Sequence, residues 1–327
     1  MKILHIGDRA GVAFNLAKLT NQKGHYAKVV FRKEHDGLGI WKNYKENIES
    51  FNGRVSAFLL YALKIAKNFD IIHTHIDIIV PILKIRFPKK KIICHYHGTD
   101  LRKANIKKIK FVSMFSDKIA IATTDLINYV NRSKTLFIPN TFDKKFLASE
   151  LGKREKIIFL PITLQEDKNY MFSLNAWRIL REKIPYVKLK IVKFGKDIAK
   201  CEEILKKDDR VMWLKPLSKD EMAREMKACS IVWEQHLVGV FGITGIEAMA
   251  AGVPVFTFFD KKNDMEGKYD PPVISPNNPM EQATITKNLI ENENLRLEMG
   301  KKGQNWVQEF HSKKAVWKIL RNLYNIH

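Results

Sequence analysis

A chain of 327 residues, 45% hydrophobic and 28% charged, is too long for one typical domain and suits two of about 150 residues each. Its net charge of +22 is unevenly spread: residues 1–150 hold 27 Lys+Arg against 12 Asp+Glu (+15), and residues 151–327 hold 30 against 23 (+7). Three widely spaced cysteines, Cys94, Cys201 and Cys229, argue against a disulfide scaffold, and no run reaches the roughly 18 to 20 continuous apolar residues of a membrane span.

In chain order, MKILHIG at the start reads as a strand rather than a signal peptide, since no cleavage site follows an apolar run. Strands are expected over Lys2–Ile6, Ala27–Phe31, Ile71–His75, Ile92–Tyr96, Lys118–Ala122 and Thr135–Ile138. Between them, Val12–Gln22 and Arg54–Lys67 are apolar at helical spacing. The polar stretch TFDKKFLASELGKRE, Thr141 to Glu155, reads as a hinge. A second series of strands follows at Lys156–Leu160, Lys188–Lys193, Arg210–Leu214, Ser230–Trp233 and Val253–Phe258, and from Pro279 the chain reads helical. Strand and helix in alternation imply parallel sheets with helices on both faces. The expected fold is therefore α/β: two Rossmann-like domains, 1–145 and 153–327, facing across a cleft, with C-terminal helices. No internal repeat or low-complexity segment is present.

Ligands of open α/β sheets bind beyond the carboxyl ends of the strands, so the residues that follow each strand carry the information. Gly11 opens the first helix, where backbone N–H groups suit an anion; an ordinary turn glycine fits equally well. The chain has no G-x-G-x-x-G, which argues against a dinucleotide oxidoreductase. In HYHGTDLR, His97 at a strand end can meet a sugar hydroxyl or phosphate, and Asp100 can cap the next helix or bind a hydroxyl. His73 and His75 put two imidazoles on one strand face, but no third ligand stands at sensible spacing, so a packed strand end is expected and no metal. Lys168 opens a helix where an ammonium can neutralise a diphosphate. The most specific stretch is GVFGITGIEAMAAG, a glycine loop entering a helix. Gly242 and the N–H groups of Ile243 and Thr244 lie at its mouth, with Glu247 one turn inside. A helix mouth suits a phosphate, and a carboxylate beyond it suits a vicinal diol; phosphate beside a diol describes a nucleotide ribose.

These pieces resemble the retaining nucleotide-sugar glycosyltransferases of the GT-B fold, glycosyltransferase family 4. The resemblance runs through HGTD at His97–Asp100, IPNTFD at Ile138–Asp143, Lys168, FGKD at Phe194–Asp197, WLKPLSKDEM at Trp213–Met222, the glycine block, and the C-terminal NWVQEFHSKKAVWKILRNLY. It implies that Glu247 holds the donor ribose, that Ile243 and Thr244 contact donor sugar and diphosphate, that Lys168 neutralises the diphosphate, and that His97 helps hold the donor sugar near the reacting centre. Gly11, Asp100, Pro216, Leu217, Gln235, Gly239, Phe241 and Gly242 complete the implied donor site. Transfer would be metal-independent, with no cofactor beyond the nucleotide-diphosphate sugar itself.

The chain departs from the family pattern at Gly239, where the first Glu of a Glu-seven-residues-Glu motif stands, and by lacking an Arg ahead of Lys168; Glu234, Gln235 or His236 is then the candidate for the sugar contact. Two functions are therefore carried forward: a retaining glycosyltransferase, or a catalytically impaired sugar-nucleotide-binding or partner subunit. The basic first half suggests a lipid-linked or polyanionic glycan acceptor and an anionic membrane surface, hence a cytoplasmic protein, peripheral on the membrane's cytoplasmic face. No motif supports a specific nucleic-acid partner.

Overall fold

The computed structural model describes residues 1–35, 40–43, 47–150, 152, 154–263, 265 and 267–326. In chain order it contains β1 (Lys2–Ile6), α1 (Val12–Asn21), β2 (Tyr26–Arg32), β3 (Ile48–Phe51), α2 (Val55–Ala66), β4 (Ile71–Thr74), α3 (Val80–Arg86), β5 (Lys91–Tyr96), α4 (Thr99–Arg102), α5 (Ile106–Phe115), β6 (Lys118–Ile121) and β7 (Thr135–Phe137). The second series is β8 (Glu155–Leu160), α6 (Tyr170–Lys183), β9 (Lys188–Val192), α7 (Ile198–Leu205), β10 (Val211–Leu214), α8 (Lys219–Ala228), β11 (Cys229–Trp233), α9 (Ile243–Ala250), β12 (Val255–Phe256), α10 (Pro279–Glu291), α11 (Glu293–His311) and α12 (Lys313–Tyr324).

Among the described residues the chain forms two compact units, 1–141 with 313–327, and 142–312. The first holds a sheet in the order β3-β2-β1-β4-β5-β6-β7, parallel throughout. Alternate residues of its strands face opposite ways. Ile72 and Ile92 join the core beneath α2, α3 and α5, while Ile71 and Ile93 join the core beneath α1 and α12. The second unit holds β10-β9-β8-β11-β12, also parallel, with Trp177, Trp233, Leu189 and Ile191 fully buried in its main core. Each sheet therefore ends its strands along one edge, where the loops carrying the candidate residues begin.

The expected strands are all present, with ends shifted by a residue or two, except at two places. β3 is not among the expected strands: IESF is four residues long and pairs only with the outer side of β2. The strand expected over Val253–Phe258 shrinks to Val255–Phe256, because Pro254 offers no N–H and Thr257 turns to donate to the carbonyl of Ile274.

The division of the chain also differs from that expected, 1–145 and 153–327. Phe146 is fully buried, and the single turn Lys144–Phe146 packs on α8 and α9, so the second unit takes the chain from Phe142. Leu151 and Lys153 of the expected linker lie outside the described residues. At the other end α12 joins the first unit. Val316, Leu320, Leu323 and Tyr324 form one stripe at helical spacing and are all buried with Phe14 and Leu16 of α1. At about 1.5–3 kcal/mol for each large apolar side chain, that stripe decides where the last helix lies.

Candidate functional site

In the second unit, the loops after β8 and β11 and the start of α9 come together. The loops are tied by backbone: His236 donates its N–H to the carbonyl of Lys168 (3.2 Å), and the Asn169 amide donates to the carbonyl of His236 (3.2 Å). Asn169 takes a left-handed conformation (φ 49°) to start α6, which leaves Lys168 half-buried at the end of a one-turn segment, Glu166–Lys168. Beside it, an open depression of about 280 Å³ is lined by Gln165, Glu166, Asp167, Lys196 and Asp197.

Glu234 follows β11 directly and is 4% exposed. Its carboxylate accepts the N–H of Gly242 (2.9 Å) and the hydroxyl of Thr257 (2.9 Å). Burial pushes its pKa above the usual carboxylate range, opposed by these two donors and by Lys168. A protein carboxylate thus already sits at the α9 mouth, and a Cβ on Gly242 would stand 3.3 Å from its oxygen. The same device closes α1: Asp8 accepts the N–H groups of Gly11 (2.7 Å) and Ala13 (2.8 Å), with Gly11 left-handed at φ 81°. At α9 the helix geometry still leaves Ile243 and Thr244, both half-buried, with N–H groups that have no intrahelical acceptor.

Glu247 lies in the second turn of α9 and is 4% exposed. Its carboxylate is held by Lys219 Nζ at 2.6 Å, and the lysine side chain is itself 45% exposed. Burial raises the Glu247 pKa; Lys219 opposes that rise and Asp143 adds to it. Lys219 is the first residue of α8, whose start is fixed by a reciprocal cap between Ser218 and Glu221. Sequence reasoning missed Lys219, although it stands inside the WLKPLSKDEM block next to the capping Ser218. Pro216, exposed, and Leu217, half-buried, lead into that cap.

The three residues weighed for the sugar contact have different surroundings. Glu234 is the one that holds the α9 mouth. Gln235 spends its amide on its own loop, accepting from Leu237 and Val238 (2.8 Å each) and donating to the carbonyl of Val240. His236 is 6% exposed and stacks on Phe172 with centroids 4.3 Å apart. Neither of its ring nitrogens has a hydrogen-bond partner among the described residues, and burial pushes its pKa down to about 4. Gly239 is left-handed (φ 75°) and its carbonyl accepts from Asp260 N–H and the Asn263 amide (3.0 Å each). The Phe241 ring is buried in an aromatic cluster with Tyr269, Trp306 and His311, so only its backbone is left for a ligand.

Gly11, His97 and Asp100 belong to the first unit. Asp100 accepts the N–H groups of His97 (3.0 Å) and Gly98 (2.7 Å), which fixes the turn after β5. His97 Nε2 is 2.8 Å from His75 Nδ1, and burial takes its pKa down to about 4. The expectation that His73 and His75 lack a third imidazole does not hold: parallel pairing brings His5, His95 and His97 to the same face.

Residues 141–306, just over half of the chain, match the family described as glycosyl transferases group 1. A curated relative, the uncharacterized glycosyltransferase MJ1178 of Methanocaldococcus jannaschii, is 26% identical over 302 residues, covering 84% of this chain and 82% of its own. Among solved structures, Anabaena Alr3699/HepE in complex with UDP and glucose is similar with a TM-score of 0.79 at 16% identity over the whole of both chains. A mutant of S. aureus TarM in complex with fondaparinux, alpha-GlcNAc-glycerol and UDP gives 0.74 at 12% identity over 99% of each. These likenesses place the fold in the GT-B class.

Proposed function

Because the chain belongs to the glycosyl transferases group 1, we propose that its second unit binds a nucleoside-diphosphate sugar, UDP-linked as in the complexes of Alr3699/HepE, and that the protein transfers the sugar with retention of configuration to a glycan or lipid-linked acceptor. The observation that carries this reading is Glu247. It is a buried acid one turn into a glycine-led helix, paired with a lysine that is itself half in solvent. An ionised carboxylate accepts from both hydroxyls of a ribose at once, and the first-turn N–H groups of α9 together with Lys168 take the diphosphate. Lys168 and helix-end dipoles then stabilise the leaving nucleoside diphosphate in place of a metal ion, and no protein nucleophile is needed.

The acceptor side of the proposal rests on the first unit. Its helices α3 and α5 pack together and expose Ile82, Ile85, Phe111 and Met114 among Lys107 and Lys110, a surface suited to an anionic membrane. No helix among the described residues is long and apolar enough to cross a membrane. Flotation with vesicles containing anionic lipid tests this part separately from catalysis; flotation unchanged by removing the anionic lipid counts against it.

A calorimetric titration with UDP, other nucleoside diphosphates and UDP-sugars tests the donor site. Glu247→Gln should weaken UDP binding roughly 10- to 100-fold, the worth of a charged hydrogen bond of about 1.5–3 kcal/mol. Binding that this variant leaves untouched removes the reading. A second reading, a donor-binding subunit without turnover, is favoured by the glycine at position 239. Hydrolysis or transfer of a UDP-sugar that Glu247→Gln abolishes excludes it.

A further inference from the structure

The first unit collects five histidines on one face of its sheet: His5 on β1, His73 on β4 and His75 just after it, His95 on β5 and His97 just after it. The register explains why. His5 pairs with His73 and Thr74 with Cys94, so His75 stands level with His95, and alternate positions of each strand share a face. The rings stack with centroids 4.4–5.5 Å apart, and all but His97 are at most 4% exposed.

Two chains of ring-to-ring contacts run through the stack. Tyr324 Oη lies 2.8 Å from His73 Nδ1, and His73 Nε2 lies 3.1 Å from His95 Nδ1. His5 Nδ1 lies 3.2 Å from His75 Nε2, and His75 Nδ1 lies 2.8 Å from His97 Nε2. The ends of these chains, His5 Nε2, His95 Nε2 and His97 Nδ1, have no partner among the described residues. A neutral imidazole carries one N–H and one lone pair. However the tautomers are arranged, His5–His75–His97 must leave a buried N–H at one end and a buried lone pair at the other. Protein groups alone do not satisfy this stack.

A cation does. We propose that His73, His75 and His95 bind a borderline divalent transition-metal ion of the Zn²⁺ class. One nitrogen from each of the three lies within 4.8 Å of the others. Four-coordinate zinc with Zn–N of about 2.0–2.1 Å needs ligand nitrogens roughly 3.3 Å apart. The 3.1 Å between His73 and His95 already meets that separation, as does the 3.2 Å between His5 and His75, and His75 is to be drawn in from within 4.8 Å. His5 stands next in line for the fourth position. The ligands are all imidazole: the group contains no carboxylate, and Cys94 belongs to the core on the other face of β5. Such a set disfavours Mg²⁺ and Ca²⁺, which take oxygen ligands. Tyr324 supplies the outer partner that orients His73. The ion clamps β1, β4 and β5 to α12, and the proposal is independent of the donor-site reading.

The test uses the full chain, stripped with a chelator and titrated with Co²⁺ as a spectroscopic probe, then with Zn²⁺ in competition. One equivalent of Co²⁺ should bind with the strong visible absorption of a four-coordinate site, be displaced by Zn²⁺, and raise the melting midpoint. His73→Gln and His95→Gln should each weaken uptake at least 100-fold, Tyr324→Phe roughly 10- to 100-fold, and His25→Gln not at all. No stoichiometric uptake, or uptake that survives the His73 and His95 changes, overturns the proposal. Should those variants fail to fold, X-ray absorption on the Zn²⁺-loaded wild type decides. Three or more imidazole nitrogens around the ion support the site, and an oxygen-rich shell with fewer overturns it.

Discussion

The two units bury ionisable groups of opposite kinds. In the second unit these are Glu234 and Glu247; in the first they are five imidazoles. Desolvation is the leading cause of every shift, raising both acids and lowering each histidine. Compensation separates the two regions. Each acid has donors or a cation against it, N–H, hydroxyl and Lys168 for Glu234 and Lys219 for Glu247. The imidazoles have chiefly one another. A region that compensates its charge can hold a charged or hydroxylated ligand; one that does not stays neutral and presents lone pairs.

Acid should split the regions most strongly. A histidine whose folded pKa is depressed contributes stability that is complete above its unfolded value near 6.5 and is lost as pH falls toward the folded value, about 4 for His97 and about 3 for His5. Each such group costs about 1.4 kcal/mol per pH unit, so five approach roughly 7 kcal/mol per unit, against a typical domain stability of about 5–15 kcal/mol. The two acids act the other way: their folded pKa values are raised, so the native state takes up protons first and gains stability as pH falls. His236, lowered to about 4, opposes them in part. Chelator-treated protein should therefore lose hydrogen-exchange protection in β1, β4 and β5 by about pH 5 while β8 and β11 remain protected. Equal protection of both sheets down to about pH 4 would break the comparison.

Removing the compensation around Glu234 comes next. Glu234→Ala removes the side-chain acceptor of the Gly242 N–H, while the Thr257 hydroxyl keeps the Gln235 carbonyl at 2.9 Å, at a cost of about 1–3 kcal/mol. The melting midpoint should fall by roughly 3–12 °C. Glu234→Gln keeps an acceptor and should lose less than half as much; equal losses would mean that volume, not hydrogen bonding, holds the α9 mouth.

Lys219→Met sharpens the point with a smaller effect. The lysine is half-exposed, so its loss should cost only about 1 kcal/mol at about pH 8. The gap to wild type should close as pH falls through the raised pKa of Glu247, because a protonated acid needs no cation. Urea unfolding at about pH 8 and about pH 5 measures both; a gap independent of pH would separate Lys219 from Glu247 energetically.

These contrasts were unequally legible in the sequence. The α9 mouth and Glu247 were readable because glycine loop, helix start and acid are contiguous, as were the strands, whose apolar runs need no distant partner. Lys219 was not: 28 residues separate it from Glu247, and only the packing of α8 beside α9 joins them. The histidine stack was hidden more deeply, since 92 residues span His5 to His97 and strand register alone aligns them. The return of α12 was written in its stripe, but a stripe does not say which unit it covers.

An effect of similar size on stability, and none on turnover, is expected at position 239, where the pattern that the chain resembles carries an acid. The glycine here is left-handed, a conformation that costs an L-residue about 1–2 kcal/mol. A Cβ would also meet Asp260 Cβ at 3.2 Å and Phe258 Cε1 at 3.4 Å, in a loop whose carbonyl already serves Asp260 and Asn263. Gly239→Ala should therefore cost about 1–2 kcal/mol through backbone strain alone. Gly239→Glu should cost somewhat more and leave UDP-sugar turnover no higher than wild type. A second carboxylate would also enter a region where Glu234 already holds the helix mouth. If Gly239→Glu instead folded normally and raised turnover, the loop would accommodate the motif's acid, and the arrangement around Glu234 would be a substitute for it rather than a barrier to it.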